Sequence, residues 1–196
     1  MLDSQALFDD TYLERRDCNP RTLEQVTSLA IALAREGREG RKVGAIFVVG
    51  DADEVLKRSR PLILDPLAGH PAAEKHVGDP NVRETLKELA QLDGAFIGAN
   101  DGTVLSACRH LSASSDGIDL LFGLGTRHMA AASMTQQTEA VAVVVSESSM
   151  VRIFDNGELV SEIIPELWMM KHFNSQIQGE TSHRTESQVT VVNKET

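Results

Sequence analysis

Three short clusters carry the residue types that phosphate chemistry needs. Gly125-Thr126-Arg127-His128 follows a glycine-rich stretch and opens a segment of small residues. A helix beginning there offers unpaired backbone N–H groups and the positive end of its dipole, and both favour an anion. Thr126 is expected to cap that helix. Arg127 adds a planar, permanently charged fork suited to phosphate oxygens, and a histidine such as His128 can donate a hydrogen bond or titrate near neutrality. Asp93-Gly94-Ala95 sets a carboxylate where a helix meets a strand. A carboxylate there can hold a divalent cation or polarise a hydroxyl. Ser146-Glu147-Ser148 follows five apolar residues, Val141–Val145, and the end of a buried strand is where open sheets gather ligand groups. Ser146 is a candidate phosphate contact and Glu147 a candidate metal ligand. Each cluster also has a plain structural reading: a capped helix with a surface arginine and a half-buried histidine, an Asp-Gly turn, and a polar turn between strands.

The elements that must position these clusters follow from periodicity and turn chemistry. Asn19-Pro20 starts a helix, with Asn as cap and Pro in the first turn. Leu23, Val26, Ala30 and Leu33 recur at helical spacing, and Gly37 can end that helix. Val43–Val49 predicts a buried strand closed by Gly50-Asp51, and residues 51–71 a short helix and a loop. Asp79-Pro80 opens a second helix, with Val82, Leu86 and Leu89 on one face, that runs into Asp93. Ala95–Ala99 and Thr103–Cys108 form a hairpin around Asn100-Asp101-Gly102. Residues 112–125 read as a loop, Thr126–Gln137 as a helix, and Val141–Val145, Met150–Phe154 and Glu158–Val160 as strands. Pro165 to Met170 is expected to form a last docking turn with Trp168. From Lys171 onward the sequence reads as a polar tail, apart from Val189–Val192. The fold class expected is α/β (α+β), a central twisted mixed β-sheet flanked by helices. The divisions expected are an extension over 1–18, a main domain over 19–170, which the resemblance described below makes the catalytic one, and a tail over 171–196.

Composition narrows the function classes. At 41% hydrophobic and 24% charged residues the chain has the balance of a soluble globular protein, and 196 residues suffice for a core without disulfides. A net charge of −10 argues against a sequence-independent grip on nucleic acid or an anionic membrane. It leaves room for an anionic small molecule held by a few local cations. Cys18 and Cys108 match no metal-binding spacing and read as free thiols. His70, His76, His110, His172 and His183 show no ligand spacing either. The acidic start MLDSQALFDD does not read as a signal peptide, and no apolar run has membrane-spanning length, so a cytoplasmic location is expected. The phosphate-binding GxxxxGK[ST], the dinucleotide GxGxxG and the esterase GxSxG are all absent from the sequence.

Taken in order, the clusters resemble the diadenylate cyclase domain family, whose members make cyclic di-AMP and include the DNA-integrity-scanning proteins. The family's DGA motif stands here as Asp93-Gly94-Ala95. Its RHR motif, in a GTRHRxA context, stands as Gly125 to Ala130, with Met129 in place of the second arginine. Its leading GALIVLGD strand is similar to Gly44–Asp51, and its later Ser-Glu strand to Val141–Glu147. The resemblance spans residues 20 to 165.

It implies a stand-alone soluble enzyme that condenses two ATP molecules into cyclic di-AMP and two pyrophosphates. Two facing protomers would form the site, in a dimer or a higher homo-oligomer, with neither nucleic acid nor membrane as partner. Asp93 would hold a divalent metal and activate the ribose 3′-hydroxyl, with Glu147 as a second ligand. Gly94 and Ala95 would admit the nucleotide, Leu111 would pack the adenine edge, and Gly125, Thr126, Arg127, His128 and Ser146 would hold phosphate. Asp93, Arg127 and His128 are the catalytic candidates. The cation implied is Mn²⁺ or Mg²⁺, with Co²⁺ a further option. Two alternatives stay open: a weak or inactive module that binds a nucleotide or cyclic dinucleotide, favoured by Met129, and a scaffold assembled through an apolar hairpin.

Overall fold

The computed structural model describes residues 18–114, 116–118, 124–165, 181–186 and 189–194, the last two segments by backbone alone. The elements run α1 (Pro20–Glu36), β1 (Ala45–Val49), α2 (Ala52–Lys57), β2 (Ser59–Pro61), a 3-10 turn (Ala72–Glu74), α3 (Pro80–Leu89), β3 (Ala95–Gly98) and β4 (Val104–Leu111). They continue with α4 (Thr126–Gln137), β5 (Val141–Val145), β6 (Val151–Asp155), β7 (Glu158–Ile163), β8 (Thr181–Glu186) and β9 (Val189–Lys194). Among the described residues, seven strands form one sheet in the order β2-β4-β3-β1-β5-β6-β7. Only β1 and β3 pair in parallel; the other neighbours are antiparallel. The expected mixed α/β architecture is observed.

Helices begin where side chains can satisfy the orphan amides of a first turn. Asn19 accepts a hydrogen bond from the Arg21 N–H, Asp79 accepts from Asn81 and Val82, and a proline follows each cap. Gly37 ends α1 at φ +60°, its N–H returning to the Leu33 carbonyl. Helix α3 stops at Leu89, so a short turn separates it from Asp93.

The central strands read as unbroken apolar runs because both faces of the sheet are covered. On one face Phe47, Val49, Phe96, Val143 and Ile153 pack with Leu23, Leu29 and Leu33 of α1 and Leu86 of α3. On the other, Ile46, Val48, Ile97, Val144 and Phe154 pack with Ala131, Ala132 and Met134 of α4 and Val55 of α2. Phe47 and Phe96, partners across the parallel pair, stack with ring centroids 4.9 Å apart. Each fully buried side chain of this size contributes about 1.5–3 kcal/mol. With few aromatics the core depends on many such aliphatic contacts.

Three segments depart from the sequence reading. Residues 59–61 form an edge strand where a loop is expected, and Arg109 holds it by donating to the Ser59 Oγ and carbonyl and to the Leu56 carbonyl. Strand β4 continues past Cys108 to Leu111 through a bulge, with Cys108 at φ +55°. In the region read as a polar tail, β8 and β9 pair as a separate two-stranded hairpin. Its strands are six residues each, and the β-branched run Val189–Val192 favours the extended backbone of β9. Residues 1–17 and the expected docking turn beyond Pro165 lie outside the described residues.

Candidate active site

The three clusters converge on one edge of the sheet. Residues 93–95 lead into β3, Arg109–Leu111 ends β4, Gly44 precedes β1 and Glu147 follows β5. This edge holds the amino ends of the parallel strands β1 and β3 and the carboxyl ends of β4 and β5. Ser-Glu sits at a strand's carboxyl end as expected, and it meets the amino ends of β1 and β3 because β5 runs antiparallel to β1.

A cleft of about 470 Å³ opens there. Ile46, Ala95, Leu111, Met129 and Ala130 give it an apolar wall, with Leu62 and Ala113 at its rim. Asp93, Thr126 and Arg127 give it one polar end, and Arg109 and His110 lie on the β4 side. Leu111 is buried and Asp93 is 91% exposed. Met129, in place of the second arginine of the motif, thus faces this cleft as apolar lining.

Arg127 organises the polar end. Its Nη1 donates to Glu147 Oε1 at 3.0 Å, and its Nη2 lies 3.9 Å from Asp93 Oδ1. The guanidinium lies across Gly44, where a Cβ would come within 2.6 Å of Nη1. Gly44 is therefore a site residue that the sequence reading placed only in a strand motif. Gly94 is required for a different reason. Its φ is +111°, and a Cβ would sit 2.6 Å from the Cys108 carbonyl carbon at the β4 bulge. Asp65 secures the far side, accepting from Ser106 Oγ at 2.6 Å and from the Ala107 and Leu67 N–H groups. No sequence motif marks it, because its β4 partners, Ser106 and Ala107, lie about forty residues away along the chain.

Helix α4 starts differently from the sequence reading. The N-cap is Gly125, with no side-chain cap, and Thr126 is the first helical residue rather than the cap. Among the described residues no hydroxyl or carboxylate caps the first turn, so the α4 N-terminus offers its amides to an anion at the cleft's polar end. His128, one turn position further on, points inward. It is 7% exposed, packs beside Phe154 and meets Arg152 Nη1 through Nε2 at 3.2 Å. Arginine only donates, so Nε2 accepts and the ring proton sits on Nδ1. Among the described residues that buried Nδ1 makes no hydrogen bond. Burial first, then the Arg152 and Arg127 guanidiniums, hold His128 below its ordinary pKa and keep it neutral. Burial also raises the Cys108 thiol. A sequence signal for the inward His128 existed: it shares the i, i+3, i+4, i+7 stripe with Ala131, Ala132 and Thr135, all buried.

Ser146 is likewise committed elsewhere. Its Oγ meets Ser148 Oγ at 2.7 Å and accepts from the Met150 N–H, closing the β5–β6 turn. The geometry thus unites Asp93, Gly94, Ala95, Leu111, Thr126 and Arg127 in the cleft and brings Glu147 to its edge. His128 and Ser146 stand behind it.

Among the described residues no three His, Cys, Asp or Glu side chains form a ready cation cage. Asp93 and Glu147 flank Arg127 with most of their carboxylate surface exposed. Such a pair fits an ion of the Mg²⁺ type, which takes one or two carboxylates and completes its shell with water and phosphate oxygens.

Residues 32–159 match the family model described as "DAC: DisA bacterial checkpoint controller nucleotide-binding". A protein of Methanocaldococcus jannaschii named diadenylate cyclase is 49% identical over 146 residues, 74% of this chain and 46% of that protein. One of Haloferax volcanii with the same name is 43% identical over 151 residues, 76% of this chain and 55% of that protein. The chain therefore spans about half the length of the curated relatives it matches. Two solved structures share the fold at low identity. A hypothetical membrane-spanning protein from Bacillus cereus aligns at TM-score 0.53 and 21% identity, covering 71% of this chain and 62% of its own. A cysteine double mutant of DacA from Staphylococcus aureus aligns at TM-score 0.50 and 19% identity, covering 78% of this chain and 95% of its own. With its motif clusters gathered on one sheet edge and two thirds of its length matched by the family model, this chain belongs to the DAC family.

Proposed function

We propose that the chain is a diadenylate cyclase that condenses two ATP molecules into cyclic di-AMP with release of two pyrophosphates. The observation that carries this reading is Arg127, held over Gly44 between Asp93 and Glu147 at the polar end of an apolar cleft. The apolar wall suits a purine and ribose, and the open α4 amides with Arg127 suit the phosphates. The name shared by the two archaeal relatives supports the same reaction. On this reading the residues from α1 to β7 form the catalytic domain, and the chain works in the cytoplasm without nucleic acid as a partner. No described helix is long and apolar enough to cross a membrane.

Charge neutralisation and positioning dominate such a transfer. Asp93 and Glu147 would hold the divalent cation, which when bound neutralises phosphate charge. Asp93 would also accept the 3′-hydroxyl proton. Thr126 and Arg127 bind phosphate. His128 acts as a positioning residue, locking the first turn of α4 onto Arg152 of β6 rather than touching the nucleotide. Each 3′-hydroxyl must reach the α-phosphorus of another nucleotide. A second protomer facing the first meets that requirement by two-fold symmetry.

Purified protein with ATP and Mn²⁺ or Mg²⁺ should yield cyclic di-AMP and pyrophosphate on chromatography. Absence of cyclic product at every protein concentration overturns the reading. Met129 in the cleft favours one second reading, nucleotide binding without turnover; ATP affinity with no pyrophosphate release selects it.

A further inference from the structure

We propose that the turn between α1 and β1 builds a pyrophosphate subsite, with Arg41 and Lys42 receiving the β- and γ-phosphates and then the leaving group. This rests on the cyclase reading above and names the part of the site that handles the leaving group. A second cleft, of about 220 Å³, adjoins the first and shares Asp93 and Arg127 with it. The first cleft runs from those two residues along apolar side chains. The second runs from them in another direction, past Gly44 and Glu147 to Arg38, Arg41 and Lys42. A nucleotide lying with its base against Leu111 and its α-phosphate at Arg127 has its remaining phosphates pointed at the second cleft.

The turn is built rather than loose. Arg38 and Arg41 exchange backbone hydrogen bonds of 2.9 and 2.8 Å, with Glu39 at φ +49° and Gly40 at φ +74° between them. Those left-handed angles mark a tight two-residue hairpin. Gly37 allows the return: a Cβ there would meet the Arg41 carbonyl oxygen at 2.2 Å. The Arg38 side chain, 13% exposed, lies between Glu36, Glu84 and Glu88 and so fixes the turn to α1 and α3. Lys87 reinforces the same junction, at 2.9 Å from both Glu36 and Glu84.

Arg38 is therefore an anchor, whereas Arg41 and Lys42 are exposed. Among the described residues neither makes an ion pair; Lys42 Nζ donates weakly to the Ala34 carbonyl at 3.4 Å. Glu39, Asp93 and Glu147 are the carboxylates lining this cleft, and the last two already face Arg127. Two cations that, among the described residues, have no carboxylate partner at the exit from Arg127 match the charge of a diphosphate, and the Arg41 guanidinium adds a fork for its oxygens. In the transfer, a bond forms between one nucleotide's 3′-oxygen and the other's α-phosphorus. The bond from that phosphorus to the bridging oxygen breaks, and the oxygen leaves with the electron pair as part of pyrophosphate. The hydroxyl proton passes to solvent by way of the exposed Asp93.

The test is calorimetric titration of the full chain with inorganic pyrophosphate and, separately, with AMP, each with Mg²⁺. The Arg41→Ala/Lys42→Ala variant should bind pyrophosphate about tenfold or more weakly and AMP within about twofold of the parent. Arg41→Lys/Lys42→Arg, which keeps both charges, should restore most of the pyrophosphate affinity. Unchanged pyrophosphate affinity, or an equal loss for AMP, overturns the subsite. If the alanine pair lowers the melting temperature, Lys42→Gln alone, outside the backbone bridge, gives the same comparison. Product formation is read separately. A parent protein that makes cyclic di-AMP while the alanine variant keeps its pyrophosphate affinity loses the subsite and keeps the cyclase reading. A parent protein that shows the charge-dependent pyrophosphate binding and makes no cyclic product loses the cyclase reading and keeps the subsite.

Discussion

Arg127 has its place because nothing projects from position 44. Replacing Gly44 with Ala would push a methyl into the guanidinium, whose flexible end can move, so the fold should tolerate it. We expect Gly44→Ala to change unfolding free energy by about 0.5 kcal/mol or less and to lower turnover about tenfold to a hundredfold. Thermal denaturation and product assay on one preparation check both parts; full turnover would detach Gly44 from the site. His128 makes a prediction of opposite kind. Its pKa in the folded state is below the ordinary 6.5, so the unfolded chain binds the proton more readily. Its contribution to stability is complete above pH 6.5 and is lost as pH falls from there through the lowered folded value. Urea unfolding across that range should show this loss, and His128→Gln should flatten that part of the profile. An unchanged slope would mean that His128 is not held neutral.

Two elements carry the site, and each has a weak point that a single residue reveals. Strand β4 passes Gly94 at a bulge so close that only a glycine with φ +111° fits. Gly94→Ala should therefore cost about 2–3 kcal/mol in urea unfolding, in contrast to Gly44→Ala. At the start of α4, Gly125 leaves the helix uncapped, has backbone angles of φ −84° and ψ −174°, and has open space where a side chain would be. Gly125→Ser should cap the helix, stabilise the protein by about 0.3 kcal/mol and lower ATP affinity, because the new hydroxyl would compete for the amides offered to phosphate. A rise in melting temperature with undiminished ATP affinity would show that these amides do not bind the ligand.

At the scale of the whole molecule, the sheet gathers its functional edge from strands running in both directions. That edge carries the exposed Asp93 and Glu147, and the reaction proposed for it joins two nucleotides, so it needs a second copy. Specific activity should rise with protein concentration through the dimerisation range seen by light scattering; a constant value at dilutions shown to be monomeric would rule out the facing-protomer arrangement. Asp93 and Glu147 alone form no cage, so a chelator should abolish turnover while leaving the melting temperature of the nucleotide-free protein within about a degree. A large drop in melting temperature on chelation would mean instead that the cation is structural.

The local chemistry of the sequence determined a good deal of this protein. Cap residues placed α1 and α3, and unbroken valine-rich runs placed β1 and β5 between two helical layers. Asp93-Gly94-Ala95 and Thr126-Arg127 were legible as a candidate site only through their order along the chain and the family they resemble, since each alone also reads as an ordinary turn or helix start. What the sequence left open depended on contacts between distant segments. Gly44 matters only because β1 starts beneath Arg127, and Asp65 only because its loop returns to β4. His128 turns inward because the third residue of α4 falls on the stripe that packs against the sheet, where Arg152 waits to meet it. Local propensity fixes such elements one at a time, whereas the direction a side chain faces is set by the packing of one element on another.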